Sequence, residues 1–117
     1  AEKRIRHVAN NVAETFGAEA QVNIHRGYPV TMNHADQTDF AIEVATTVSG
    51  RGKVNPDVAP VMGGEDFSYM LEARPGAFIF MGNGDSAFLH HPEYDFNDDA
   101  IPHGVSYWVA LAEKALA

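Results

Sequence analysis

The apolar run at residues 77–81, Ala-Phe-Ile-Phe-Met, constrains the fold of this chain most. A strand with one face in water alternates apolar and polar residues, but this run has no polar residue, so as a strand it needs cover on both faces. Such strands are usual in α/β sheets. Periodicity alone also permits a buried helical turn. The run therefore favours an α/β fold.

The first 24 residues predict one helix followed by one strand. Apolar residues recur at helical spacing from Ile5 to Phe16, and Gly17 supplies a C-terminal stop. Small and β-branched residues then alternate with polar ones over residues 18–24, which is the period of a half-buried strand. One helix and one strand cannot close a core, so this pair needs further elements to pack against.

A break in regular structure separates this first unit from the rest of the chain. Arg-Gly-Tyr-Pro at 26–29 interrupts the pattern, and Asn33 is a candidate N-cap for a second helix that ends near Gly50. The apolar face of that helix contains five residues: Phe40, Ala41, Val44, Ala45 and Val48. A change of layer or domain is expected within residues 26–33.

Shorter elements follow the second helix. Residues 58–62 are a possible strand, and Gly63-Gly64 forms a turn into a short helix that runs from Glu65 to about Ala73. The last helix is expected to begin near Ala100. Asp98 or Asp99 would cap it, and Pro102 is tolerated because it falls in the first turn.

Composition restricts the partners and the chemistry. The chain has 117 residues, 45% of them hydrophobic, which suits about one domain with a packed core. Its net charge of -8 opposes binding to nucleic acid or anionic lipid, so neither partner is expected. With no cysteine there is no disulfide and no thiolate metal ligand. No signal-peptide core or membrane-length apolar run is present, and a cytoplasmic location is expected.

Two adjacent histidines are the main candidates for metal chemistry. In an extended segment the rings of His90 and His91 point to opposite faces, so at most one of them reaches a shared site. A catalytic zinc usually takes three protein ligands, and one imidazole cannot hold the ion. From the residues alone, solvated or hydrogen-bonded loop histidines are more common than ligands. Nearby aspartates could orient a ligand, but turns and helix capping explain them equally well.

The second candidate site is the segment Gly63-Gly64-Glu65. Two glycines allow close approach to the backbone, and the amides at the start of the next helix would attract an anion such as a substrate carboxylate. A tight turn with acidic residues beside the helix dipole is the simpler reading. No nucleophile, base and orienting residue form a set anywhere in the chain.

Four motifs in register resemble a known family: Tyr28-Pro-Val-Thr-Met-Asn33, Gly63-Gly-Glu-Asp-Phe67, Phe80-Met-Gly82, and Leu89-His-His-Pro92 followed by Tyr94-Asp-Phe-Asn-Asp98. Their order and spacing are similar to those of the metal-dependent amidohydrolase and carboxypeptidase family that includes hippurate hydrolase and the plant indole-acetyl-amino-acid hydrolases. The resemblance covers essentially the whole chain. It implies a much longer two-domain protein, in which a smaller α+β lid, often the dimer contact, interrupts an α/β catalytic domain.

The resemblance assigns parts of this chain to parts of that architecture. Residues 1–25 match the end of the lid or dimerisation domain, 26–33 the hinge, and 34–117 the C-terminal part of the catalytic domain. The metal ligand of the family carries over to His90, with His91 as a neighbour without that role. Possible substrate-pocket residues are Gly63, Gly64 and Glu65. No catalytic residue carries over, since the general base of the family lies upstream of the matched part.

The function implied is that of the C-terminal portion of a metal-dependent hydrolase that cleaves the amide bond of N-acyl amino acids, such as hippurate, or of small peptides. Two divalent ions (zinc, manganese or cobalt) are expected in the full-length parent, which is expected to be a homo-oligomer. The 117-residue chain alone is expected to be inactive and metal-free. One alternative is a non-enzymatic interaction or oligomerisation module that pairs through the strand at 18–24. Another is a small-molecule binder that uses Gly63-Gly64.

Overall fold

The computed structural model describes residues 1–117 and contains four α-helices and no β-strand. The helices are α1 (Glu2–Thr15), α2 (Ala35–Ser49), α3 (Phe67–Ala73) and α4 (Ala100–Leu116), with a 3-10 turn at Arg51–Lys53. The Cα radius of gyration is 20.7 Å, whereas a compact domain of this length has about 13 Å. The chain is therefore extended, and most of its surface faces solvent.

The packed centre of the molecule is the pair formed by α2 and α4. Ala41 and Val44 of α2 are buried, as are Ala100 and Tyr107 of α4. The ammonium of Lys114 pairs with Glu43 and lies 5.4 Å from the ring centroid of a phenylalanine on α2. Both helices occur where the sequence predicts them, because each has an apolar face and the two faces cover each other.

Helix α1 is also confirmed, and its end follows the predicted chemistry. Gly17 has φ 68°, a conformation that glycine adopts without steric cost. The amide of Gly17 donates to the carbonyl of Glu14, and that of Ala18 donates to the carbonyl of Ala13. These two bonds form a Schellman motif, which stops the helix. No residue of α1 is buried, and α1 packs against no other helix.

The three predicted strands are absent. Residues 18–24, 58–62 and 77–81 run as irregular extended chain without ladder hydrogen bonds. In the first segment the exposure of side chains still alternates, since Val22 is half-buried and its neighbours Gln21 and Asn23 are exposed. A strand forms only when a second strand supplies partners for its amides and carbonyls, and these three segments make no backbone–backbone hydrogen bond to another such segment. The expected α/β class and the helix-strand lid remnant are thus not confirmed.

The apolar run at 77–81 is anchored by side chains instead of by a neighbouring strand. The carboxamide of Asn33 donates to the carbonyl of Phe78 and accepts from its amide, both at 2.8 Å. The amide of His34 donates to the carbonyl of Gly76 at 3.0 Å. Asn33 was predicted to cap α2, but His34 occupies the N-cap position and makes no side-chain cap bond. That prediction is wrong because the carboxamide is already used by Phe78.

Candidate functional site

The motif that contains His90 lies in a long loop between the apolar run and α4. Asn83 closes the base of this loop: its Oδ1 accepts the amide of Asn97 at 2.8 Å, and its Nδ2 donates to the carbonyl of Asp95 at 2.7 Å. Nδ2 also lies 2.9 Å from the hydroxyl of Ser86. The closure brings residues 83 and 97 together, and the intervening residues form the loop.

His90 is the one non-glycine residue in the chain with a left-handed backbone, at φ 69°. Such a conformation is uncommon for a residue with a Cβ, and sparsely populated conformations of this kind cost on the order of 1–3 kcal/mol and concentrate at functional sites. The side chain is exposed, and neither ring nitrogen makes a hydrogen bond. Both nitrogens of His90 are therefore available to a ligand.

The neighbouring histidine has a different environment. Nδ1 of His91 accepts the amide of Glu93 at 3.1 Å, the His91 amide donates to the carbonyl of Phe88, and the His91 carbonyl accepts the amide of Tyr94. His91 is thus part of the turn at the end of the loop. The two rings thus differ in their hydrogen bonding, and the ligand role of His90 stays a prediction.

The structure assembles no complete metal site around His90. No group of three or more histidine, cysteine, aspartate or glutamate side chains has a geometry that could hold a metal ion. Asp99 takes the N-cap position of α4 without a side-chain cap bond, and the side chain of Asn97 accepts its amide instead. The roles considered for the aspartates, in capping and in orienting a ligand, have no side-chain contact that supports them.

An open acidic cavity of about 280 Å³ lies at the base of the loop. Its lining combines the closure residues with three carboxylates: Asn83, Asp85, Ser86, Asp95, Phe96, Asn97 and Asp98. No hydrogen bond or ion pair joins this loop to the glycine-bearing segment at residues 63–65. Hydrogen bonds and ion pairs therefore do not link His90 to the predicted pocket residues.

The Gly63-Gly64-Glu65 segment is a tight turn that leads into α3. A Cβ at Gly64 would lie 3.1 Å from the ring of Tyr28, so the glycine lets this ring pack on the turn. Oε1 of Glu65 accepts the amide of Phe67, and the carbonyl of Glu65 accepts both the amide and the hydroxyl of Ser68. The first amides of α3 thus have partners within the chain. The substrate-contact role of Gly63, Gly64 and Glu65 stays a prediction.

A second cavity, which the sequence did not reveal, lies beside the predicted hinge. It is an open groove of about 500 Å³ between the hinge and α3, lined by Pro29, Val30, Met32, Asn33, His34, Leu71 and Glu72. Val30 and Met32 are strongly exposed on it. No periodicity marks a groove of this kind, because its walls come from segments that are about 40 residues apart in the sequence.

One titratable group is clearly perturbed. Burial raises the pKa of the Tyr107 phenol above its ordinary value of 10.0, because desolvation disfavours the phenolate. Tyr107 is a core residue of α4 and packs edge-on against Trp108, at 5.4 Å between ring centroids. This shift belongs to the packed centre of the molecule and does not mark a catalytic group.

Comparison with known proteins identifies the class. Residues 3–114 match peptidase family M20/M25/M40, and the chain belongs to this family. The chain is 33% identical to hippurate hydrolase of Campylobacter jejuni over 98% of its own length and 30% of that protein. It is 35% identical to an N-acetyldiaminopimelate deacetylase of Streptococcus thermophilus, with 90% and 28% covered. It is 33% identical to the putative amidohydrolase YhaA of Bacillus subtilis, with 86% and 26% covered.

The chain spans less than a third of the length of each of these relatives. The family resemblance read from the four motifs is therefore confirmed, and the relatives support an enzyme of the hydrolase class as the parent. No solved structure matches the chain. None of its helices is both long enough and apolar enough to cross a bilayer.

Proposed function

We propose that this chain forms the C-terminal portion of a metal-dependent hydrolase that cleaves the amide bond of N-acyl amino acids, of which hippurate is one, or of small peptides. The match to peptidase family M20/M25/M40 over residues 3–114 carries this proposal. Relatives named hippurate hydrolase and N-acetyldiaminopimelate deacetylase favour an N-acyl amino acid as substrate.

His90 is the residue through which this chain contributes to the metal centre. Its ring is exposed and makes no hydrogen bond, and its strained backbone is of the kind found at functional sites. As a lone imidazole it suits zinc, manganese or cobalt as one donor among several, so the remaining donors come from other parts of the parent. When bound, two divalent ions supply polarisation of the amide carbonyl and activation of water.

The general base of the reaction is not on this chain. His90 forms no ion pair with a carboxylate, and the glutamate base that the family resemblance implies has no counterpart among these residues. The loss of a general base typically lowers the rate about a hundredfold to ten-thousandfold. We therefore expect the 117 residues alone to be catalytically inactive and free of tightly bound metal.

Gly63, Gly64 and Glu65 would supply part of the substrate pocket wall. The turn they form is held against Tyr28 of the hinge, so movement of the hinge would change the wall directly. The groove beside the hinge has a partly apolar lining that could accept the acyl group of the substrate. The net charge of -8 favours a small-molecule substrate over nucleic acid or membrane partners, and we expect a cytoplasmic homo-oligomer.

The test is a pair of histidine substitutions in the full-length protein. His90→Ala should lower the bound-metal content measured by elemental analysis and reduce hydrolysis of hippurate at least a hundredfold. His91→Ala is the matched control, because its ring serves a local turn, and it should keep most of the metal and activity. Unchanged metal content in His90→Ala would refute the ligand role.

A second candidate function is a non-enzymatic interaction module. The observation that favours it is the uncovered apolar face of α1, where Ile5, Val8 and Val12 are each about half exposed. Two measurements separate the proposals: light scattering of the purified chain with and without zinc, and a hydrolysis assay of the full-length protein. A well-folded symmetric oligomer that ignores metal would favour the module, and a full-length protein that hydrolyses N-acyl amino acids would favour the enzyme.

A further inference from the structure

We propose that Asn83 is a positioning residue that holds the loop bearing His90 in its ligand-presenting conformation; this inference rests on the proposed function. Asn83 makes no hydrogen bond to His90. It acts by closing the base of the loop, seven residues away in sequence from the imidazole that it serves.

Both the oxygen and the nitrogen of the Asn83 carboxamide take part in the closure. The oxygen accepts the amide of Asn97 and the nitrogen donates to the carbonyl of Asp95, at 2.8 and 2.7 Å. Asn83 is half-buried, unlike most of the loop. Because both bonds go to backbone groups of residues 95–97, the rigid planar amide fixes the position of residue 83 relative to this segment.

The closure also ties the loop to the packed centre. Asn97 accepts the amide of Asp99 through its side chain and the amide of Ala100 through its carbonyl. Ala100 is a buried residue at the start of α4. Asn83 therefore links the His90 loop to the helix pair, which is the best-packed part of the molecule.

No other hydrogen bond ties residues 84–94 to a distant part of the chain. The remaining hydrogen bonds between residues 84 and 94 join near neighbours, at the turn around His91 and from Ser86 to Ala87. Phe88 and Leu89, just before His90, are largely exposed. Without the closure the loop would gain conformational freedom, and His90 would relax from φ 69° to the negative φ values that residues with a Cβ prefer. The imidazole would then leave the metal.

Asparagine suits this position better than its nearest analogues. Aspartate would keep an acceptor for the amide of Asn97, but its second oxygen would face the carbonyl of Asp95 across 2.7 Å and repel it. Alanine would remove both bonds. The two substitutions therefore test the same closure, one with the shape of the side chain kept and one without.

The experiment uses the full-length holoprotein with Asn83→Asp and Asn83→Ala. Both should weaken binding of the metal that His90 holds by about 10- to 100-fold in chelator competition, the usual effect of losing a group that orients a ligand. The visible spectrum of the cobalt-substituted protein should change, and excess metal should restore turnover. Hydrogen exchange should speed up at residues 84–97.

The matched control is Asn33→Ala, which removes the same double carboxamide bond to a backbone segment, here Phe78, away from His90. It should lower thermal stability and leave metal affinity and the cobalt spectrum unchanged; turnover is not compared, because Asn33 also lines the groove proposed for the acyl group. His90→Ala tests the proposed function in the same assay. If His90→Ala releases metal and both Asn83 variants keep wild-type affinity and spectrum, the positioning role is wrong and the function stands. If His90→Ala keeps its metal, the ligand proposal itself fails. Should Asn83→Ala not fold, the isosteric Asn83→Asp decides.

Discussion

The α2–α4 pair and the α1 region show what amphipathic periodicity does and does not achieve. All three helices form where the apolar spacing predicts them. Val44 on α2 is 2% exposed because α4 covers it, whereas Val8 on α1 is 47% exposed because no helix lies against it. Periodicity therefore sets the helix, but only a second apolar face supplies burial, and burial supplies most of the stability.

The same substitution in α2 and in α1 tests most directly whether burial makes the two helices differ in stability. Val44→Ala should destabilise the chain by about 2 kcal/mol, since two methyl groups lose burial and leave a cavity. Val8→Ala should be neutral or slightly stabilising, because alanine has the higher helix propensity and little burial is lost. Chemical denaturation of both variants measures the difference. Equal losses would show that α1 is covered in solution.

The next largest effect should come from the end of α1. Gly17→Ala forces a residue with a Cβ into φ 68°, which should cost about 1 kcal/mol. Gly52→Ala is the control, because Gly52 has ordinary backbone angles and open space around it. Circular dichroism during thermal unfolding compares the two. Unchanged stability in the Gly17 variant, or an equal loss in both variants, would contradict the role of Gly17 in stopping α1.

A smaller, pH-dependent effect is expected from the packed pair. The pKa of Tyr107 is raised in the folded chain, so the neutral phenol is favoured by folding. The contribution is complete below the unfolded pKa of 10.0 and is lost as the pH rises through the folded value. Tyr107→Phe should remove this alkaline decline in stability. Denaturation midpoints between pH 8 and 11 in both proteins provide the measurement, and parallel curves would contradict it.

The smallest effect should come from the ion pair beside α1. Arg26 and Glu2 lie 2.9 Å apart, but both side chains are substantially exposed. Glu2→Gln should change stability by less than about 0.5 kcal/mol, and added salt should remove even that difference. A larger, salt-independent loss would mean that this pair holds the extended segment 18–26 on α1 more firmly than exposed charges normally do.

Sequence reasoning located the helices well because their signals are local. The stop at Gly17, the end of α2 at Gly50 and the start of α4 at Ala100 all depend on nearby residues. The predicted strands are absent because a strand depends on a second, neighbouring strand, which a local sequence pattern does not reveal. The predicted helix cap at Asn33 is absent for a similar reason. The carboxamide of Asn33 bonds the backbone of Phe78, which is distant in the sequence, and is therefore not used to cap α2.

For the candidate site, the resemblance points to the histidine motif, and the choice of His90 over His91 as the ligand stays a prediction. What the sequence could not show is the left-handed backbone at His90 or the closure by Asn83, since both depend on contacts across a loop. The Asn-Gly dipeptide at 83–84 was visible, but this pair most often marks a simple turn. Its use as a loop closure becomes apparent only from the structure.

The exposed apolar run at 77–81 should make copies of this chain associate with one another. Phe80 and Met81 are more than half exposed, and most backbone groups around them lack ladder partners. Unpaired extended chain with aromatic side chains promotes association between copies in a crowded cell or test tube. Copies of these 117 residues should therefore associate as their concentration rises, and hydrophobic dyes should bind the dissolved chain.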